Sequence, residues 1–243
     1  MKNFQLLLLL ALLSCAAPPS AEEIVRRAIA ASGTEKLKNA EVSFNFRNIA
    51  YQYQYRNGNF RYTRIQRDTI GKEVKDVLVN SGLNRFVNDS LVTLEEEKSA
   101  AYSASVNSVI YFAFLPLPLN DNAVIKKYIG KVDIAQKSYF KLQVTFNADG
   151  GGEDYEDVFY YWFDTEDYSL DYLAYSYNED DGKGVRFREA YNARNIDGVI
   201  IQDYRNYKPE EEDGFALADI DEAFKDGTLK LLSVIELEEV QIN

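Results

Sequence analysis

The sequence of 243 residues contains no histidine and only one cysteine, Cys15. Without imidazole there is no Ser-His-Asp triad, no Cys-His pair and no His-ligated zinc or haem iron. One cysteine excludes an internal disulfide and a C-x-x-C redox pair. Basic residues are also scarce, with 27 Lys and Arg against 39 Asp and Glu, which argues against nucleic-acid binding. We therefore expect no metal site, no cofactor and no nucleic-acid partner.

Hydrophobic residues make up 46% of the chain, and tyrosine (18) and phenylalanine (14) are abundant. Strands accept aromatic rings well on a pleated, half-buried surface. This length and composition predict one domain with a substantial core, rich in β-structure.

The N-terminal segment has the pattern of an export signal. After Lys2, the apolar run Leu6 to Leu13 is too short to span a bilayer and fits the hydrophobic part of a signal peptide. The sequence Leu-Leu-Ser-Cys at positions 12–15 resembles the lipobox of bacterial lipoproteins. This resemblance implies a signal peptide at 1–14, a lipid on Cys15, a tether at 15–21 and a single domain at 22–243. The alternative is an ordinary secretory signal with a chance cysteine.

The lipobox resemblance also implies a location. Ala16 follows the cysteine where an aspartate would retain some lipoproteins in the inner membrane. We therefore expect a lipid-anchored envelope protein, in the outer membrane and facing the periplasm or the cell surface. Anionic headgroups repel an acidic body, so the lipid must hold it there.

The first half of the mature chain alternates between helix and strand patterns. A helix is predicted over 22–38, with Ser20 as its N-cap and Gly33 as a break. Alternating aromatic residues then predict strands, and Asn57-Gly58 between two such runs predicts a type I′ hairpin. Residues 95–114 predict a helix that ends at Pro116 and Pro118, and 121–129 predict a second short helix.

From Lys131 onward the pattern predicts strands again, with a short helix near 217–225 and a last strand over 229–240. Tight turns rather than helical crossovers join these strands. The fold class is therefore α+β, a curved antiparallel sheet around a few helices.

Four stretches of the chain resemble a known family: 107–113 (NSVIYFA), 119–121 (LND), 157–162 (DVFYYW) and 184–192 (GVRFREAYN). They are similar to a family of uncharacterised lipoproteins, mostly from Bacteroidetes-type bacteria, that carries a domain of unknown function. The wider layout resembles the lipoprotein-localisation fold of LolA and LolB. That fold implies an incomplete antiparallel barrel wrapped around helices, with an apolar cavity. The family brings no catalytic residues.

Within that likeness, the proline-stiffened segment 111–119 could line or cover the cavity. The candidate lining residues are Phe112, Phe114, Leu115, Leu117, Leu119, Tyr161 and Phe163. The alternative is that this segment fills the concave face of the sheet as core.

Two polar clusters are weaker candidates. Arg186 and Arg188 share one face of a predicted strand and could clamp an anion, or they could pair with acidic neighbours such as Asp171 or Asp203. The acidic runs at 149–157 and 178–181 could offer oxygen ligands to Ca²⁺. Neither run has EF-hand spacing, so solvated turns are the preferred interpretation.

Three functions remain. The preferred one is a non-enzymatic lipoprotein that binds a hydrophobic ligand, a lipid or acyl chain, in the concave face. The second is a structural or protein-interaction lipoprotein with a filled core. The third is a carboxylate-based hydrolase, which needs two facing carboxyl groups in an open cleft. The interior of the half-barrel distinguishes the first two, because a void of several hundred Å³ favours binding.

Overall fold

The computed structural model describes residues 18–147, 157–179 and 182–243. Its first element is helix α1, Ala21–Ser32. The Ser20 hydroxyl caps this helix by accepting a hydrogen bond from the Glu23 backbone N–H at 3.2 Å. The helix ends at Gly33, whose φ of 69° is a left-handed conformation that glycine adopts readily. A 3-10 helix, Thr34–Asn39, follows, which confirms the predicted break at Gly33.

Six strands come next, joined by short turns. They are β1 (Glu41–Phe46), β2 (Ile49–Arg56), β3 (Asn59–Arg67), β4 (Glu73–Val79), β5 (Gly82–Val87) and β6 (Ser90–Val92). Asn57 and Gly58 connect β2 to β3 with φ values of 51° and 80°, as a type I′ turn requires. The predicted hairpin is therefore confirmed.

A long helix, α2 (Glu96–Ala113), separates these strands from the rest of the chain. It ends before Pro116 and Pro118, as predicted, because proline offers no backbone N–H to continue a helix. A 3-10 helix, Leu117–Asn120, completes the turn.

The second half contributes eight strands and a short helix. They are β7 (Val124–Ile134), β8 (Lys137–Phe146), β9 (Val158–Asp164), β10 (Leu170–Glu179), β11 (Gly182–Ile196), β12 (Val199–Lys208), α3 (Ile220–Lys225), β13 (Lys230–Ile235) and β14 (Glu238–Ile242).

The strands form two antiparallel sheets of seven strands each. The first has the order β14-β1-β2-β3-β4-β5-β6 and the second the order β13-β12-β11-β10-β9-β8-β7. Neither sheet closes on itself among the described residues. The α+β class with antiparallel sheets and few helices is confirmed, with the strands divided between two sheets.

Two local predictions were wrong. Residues 121–129 were expected to form a helix, but most of them belong to β7, which pairs with β8 from Val124↔Phe146 to Ile134↔Lys137. Burial along β7 alternates with a period of two, and that alternation together with a long pairing partner outweighs a short helical pattern. The expected single strand over 229–240 is interrupted near Leu237, so that β13 pairs with β12 while β14 pairs with β1.

Helix α2 lies between the two sheets. Ile110 and the residue after the helix, Phe114, are buried among the side chains of the first sheet, where the Phe114 ring lies 4.8 Å from the ring of Tyr53. Phe112 faces the second sheet, with its ring 5.2 Å from that of Tyr175. The apolar cores of both sheets thus meet at this one helix.

Within 18–147, 157–179 and 182–243, no helix has both the length and the apolar character to cross a bilayer.

Candidate functional site

A broad, open cavity of about 1150 Å³ lies between α2 and the second sheet. Pockets that bind small molecules usually measure about 300–1,000 Å³, so this space can hold a sizeable ligand. Residues of α2, of β8 to β13 and of the ends of strands in the first sheet line this cavity.

Small side chains on α2 leave this space open. The small residues of this helix between positions 100 and 108 that line the cavity are Ala100, Ala101, Ser103, Ala104, Ser105, Asn107 and Ser108. Ile110, further along the helix, is buried against the first sheet, while Tyr111 and Phe112 line the far end of the cavity.

Aromatic rings form the floor of the cavity. The Phe159 and Tyr175 rings stack at 5.5 Å, and the Phe112 ring contacts both. Phe146 packs edge-on against Phe159 at 5.6 Å. An apolar chain or ring of a ligand can bury its surface against such a wall. The aromatic side chains already pack against one another, so they lose little conformational entropy when a ligand binds.

A buried ionic network fixes α2 on the first sheet. Asp76 of β4 accepts hydrogen bonds from Arg64 (2.7 Å) and Arg85 (2.6 Å), and the Asp76 side chain is fully buried. Arg64 also donates to the hydroxyl of Ser105 at 2.8 Å, and the Arg85 guanidinium lies 3.5 Å above the Tyr102 ring. Two arginines therefore link Asp76 to the helix that forms one wall of the cavity.

Tyrosine hydroxyls lie in and beneath the aromatic floor in their neutral form. The Tyr111 and Tyr161 hydroxyls are 3.0 Å apart, and burial raises the pKa of both. Burial also raises the pKa of Tyr204 to about 12, while its hydroxyl accepts a hydrogen bond from Gln202 at 2.8 Å. At neutral pH these phenols act as hydrogen-bonding groups and not as bases.

The structure places Phe112 in the cavity wall and the other six predicted lining residues elsewhere. Phe114 is buried in the core of the first sheet, whereas Leu115 and Leu119 are buried between α1 and the second sheet, and Leu117 packs against both cores. Tyr161 and Phe163 are fully buried within the second sheet. The segment around Pro116 thus serves mainly as core, because its large side chains pack against the first sheet on one side and against α1 and the second sheet on the other.

The two arginines of the predicted clamp have different surroundings, although both line the cavity. Arg186 forms an ion pair with Glu212 at 2.5 Å and donates to the Tyr177 hydroxyl. Its partner is neither Asp171 nor Asp203, and Asp203 pairs with Arg194 instead. Arg188 donates from Nη2 to the Tyr175 hydroxyl at 2.7 Å.

Acidic residues contribute little to the described lining. Asp157 is the one carboxylate among the described residues that line the cavity, so no second carboxyl group of that part faces it there. The same residues contain no group of three or more His, Cys, Asp or Glu side chains placed to hold a metal ion. The acidic runs at 149–156 and 180–181 lie outside the described residues.

Sequence reasoning missed most of the cavity. Tyr175, Tyr204 and Asn206 line it, although they belong to elements that were predicted correctly. The available signal was the run of Ala and Ser residues along α2, where a helix packed on both sides would carry larger side chains.

Comparisons with solved structures gave distant matches. A LolA superfamily protein from Nitrosomonas europaea aligns with a TM-score of 0.48 at 10% identity, over 92% of this chain and 94% of that one. A DUF1329 family protein from Desulfovibrio piger aligns with a TM-score of 0.45 at 10% identity, over 92% of this chain and 93% of that one. The lipoprotein LppX from Mycobacterium tuberculosis aligns with a TM-score of 0.28 at 13% identity, over 66% of this chain and 88% of that one.

No curated protein matches the chain. A family model does: it matches residues 1–237, which include α1, α2, both walls of the cavity and Cys15. The chain therefore belongs to the family of unknown function DUF6503.

Proposed function

We propose that this protein is a lipid-anchored envelope protein that binds a hydrophobic molecule, a lipid or an acyl chain, between α2 and the second sheet. The observation that carries this proposal is the open cavity of about 1150 Å³. A protein-interaction module with a filled core has no need of such a space. A carboxylate-based hydrolase needs a second acidic group facing Asp157, and the described wall offers none.

The cavity wall suits an aliphatic chain energetically. Burying one CH₂ group contributes roughly 0.8 kcal/mol, so about ten buried CH₂ groups contribute about 8 kcal/mol before the cost of immobilising the ligand. Phe112, Phe146, Phe159 and Ile235 provide the apolar surface for this burial. A micromolar Kd corresponds to about 8 kcal/mol net, so with an immobilisation cost of at least about 4 kcal/mol the ligand must bury about fifteen CH₂ groups.

The test is whether the chain carries or takes up a hydrophobic ligand. The chain from Ala16 onward retains every described residue, and we expect it to purify with bound lipid that native mass spectrometry detects. After delipidation it should bind N-phenyl-1-naphthylamine, an uncharged apolar probe, with a rise in fluorescence. A chain that is always free of ligand and never binds this probe would contradict the proposal.

Membrane attachment is a separate part of the proposal and depends on Cys15. Changing Cys15 to Ala should move the protein from the membrane fraction to the soluble fraction, or leave its leader uncleaved. The reason is that two or three acyl chains anchor a protein stably, whereas an acidic body has no attraction for anionic headgroups. Fractionation with immunoblotting measures the change.

The matched control is Ser14→Ala, which keeps a small residue before the cysteine and should stay in the membrane fraction. Unchanged membrane association of Cys15→Ala would refute the lipid anchor while leaving the cavity proposal intact.

A further inference from the structure

Arg188 is a buried cation that lines the cavity, and no carboxylate of the described residues forms an ion pair with it. The residue is 8% exposed and lies on β11. Its guanidinium lies 4.0 Å from the centre of the Phe112 ring and donates from Nη2 to the Tyr175 hydroxyl. The buried Nε has no hydrogen-bond partner in the described structure. Aromatic faces and one phenol therefore satisfy this guanidinium only in part.

Asn206 lies directly opposite, since Arg188 and Asn206 are register partners between β11 and β12. Asn206 is 7% exposed and also lines the cavity. Its Nδ2 donates to the Ser233 hydroxyl at 3.3 Å, whereas its buried Oδ1 has no partner in the described structure. Two neighbouring buried side chains at one point of the wall thus have unused hydrogen-bonding capacity.

No carboxylate neutralises Arg188 in the described part of the chain. Its neighbours on the same sheet are paired, Arg186 with Glu212 and Arg205 with Glu189. Burying an unpaired charge is costly, so a buried guanidinium normally has an anionic partner.

We infer that Arg188 and Asn206 bind the anionic head group, a carboxylate or a phosphate, of an amphiphile whose apolar part occupies the cavity. The inference rests on the proposed function, because it places a head group on the ligand proposed there. Guanidinium suits either anion, since its N–H groups form a planar fork that matches two oxygen atoms. A flip of the Asn206 carboxamide lets the Ser233 hydroxyl donate to Oδ1 and frees Nδ2 to donate to the same anion.

This arrangement predicts a preference for charged amphiphiles over neutral ones of equal chain length. The probes are oleate, methyl oleate and oleoyl lysophosphatidate, each used to displace N-phenyl-1-naphthylamine from the delipidated chain. We expect at least one of the two anions to bind about tenfold more tightly than methyl oleate. The tighter anion identifies the head group as a fatty-acid carboxylate or a lipid phosphate.

The decisive variant is Arg188→Met, which keeps an apolar stem of similar length. It should remove the preference for the anion, while the Kd for methyl oleate changes less than about twofold. Arg205→Met is the matched control, because this arginine lies on the same sheet outside the cavity lining and pairs with Glu189. If Arg188→Met does not fold, Arg188→Gln is judged by the same criterion.

Two results would overturn the inference. One is equal affinity of the wild-type chain for both anions and for methyl oleate, and the other is a preference that persists in the folded Arg188 variant. Failure of the proposed function differs from either, because the uncharged probe itself would then not bind.

Discussion

Replacing Ala104 with tryptophan is expected to weaken binding of N-phenyl-1-naphthylamine at least about tenfold while the chain remains folded. Ala104 lies on α2, is half-buried and lines the cavity. An indole at this position projects into space that is now open, so it competes with the ligand for the same volume. Little strain follows, because overpacking is costly only where a core is already filled.

The matched control is Ala30→Trp. Ala30 is also a helical alanine, but it lies on α1 with an exposed side chain and is absent from the cavity lining. Fluorescence titration and denaturant unfolding should be measured on both variants. Normal binding by a folded Ala104→Trp variant would place the ligand elsewhere on the molecule.

The elements that sequence reasoning predicted well have strong local signals. Ser20 and Gly33 delimit α1, Asn57-Gly58 forms a hairpin turn, and the prolines at 116 and 118 follow the end of α2. Each signal depends on the backbone chemistry of one or two residues, so distant parts of the chain cannot alter it.

The errors arose where distant pairing decides the structure. The strand β7 forms because β8 offers a long partner, and β14 exists as a separate strand because β1 has a free edge. Neither partner can be recognised from the local sequence. Tertiary context of this kind regularly overrides the pattern of a short segment.

The cavity was predictable in kind and not in detail. The segment 111–119 was predicted as lining because it is strongly apolar. Its most apolar residues are instead buried in the core, as Phe114 and Leu119 show. The wall is instead mixed, with Ala104 on one side and Arg188 on the other. In the sequence, a wall of this mixed composition cannot be distinguished from the half-buried face of an ordinary helix or strand.

Changing Asp76 to Asn is expected to lower the free energy of unfolding by about 3–5 kcal/mol at pH 7, the largest stability effect that we predict for one substitution. The Asp76 carboxylate is fully buried between Arg64 and Arg85. Its loss leaves two guanidinium groups in a poorly hydrated site without a counterion. Chemical denaturation followed by circular dichroism measures the change.

The effect should depend on pH. Burial opposes ionisation of Asp76, but hydrogen bonds from Arg85 and Arg64 outweigh burial and lower the pKa of this carboxyl below its ordinary value of 3.8. A lowered pKa in the folded state stabilises the protein fully above pH 3.8, and this contribution is lost as the pH falls through the folded-state pKa. The difference between wild type and Asp76→Asn should therefore shrink as the pH falls below about 4.

The matched control is Asp89→Asn. Asp89 also pairs with a cation, Lys75, at 2.8 Å, but its side chain is 82% exposed. Exposed ion pairs contribute about 0–1 kcal/mol, so this variant should unfold almost as the wild type does. An Asp76→Asn variant no less stable than Asp89→Asn would mean that the buried network contributes nothing to stability.

The same network predicts a consequence for the cavity. Arg64 and Arg85 hold α2 through Ser105 and Tyr102, and the small residues of α2 form one wall of the cavity. A folded Asp76→Asn chain should therefore bind the uncharged probe more weakly than Asp89→Asn does, even at temperatures far below unfolding. Stability and binding then decline together, because one buried carboxylate organises the two arginines that keep the cavity wall in place.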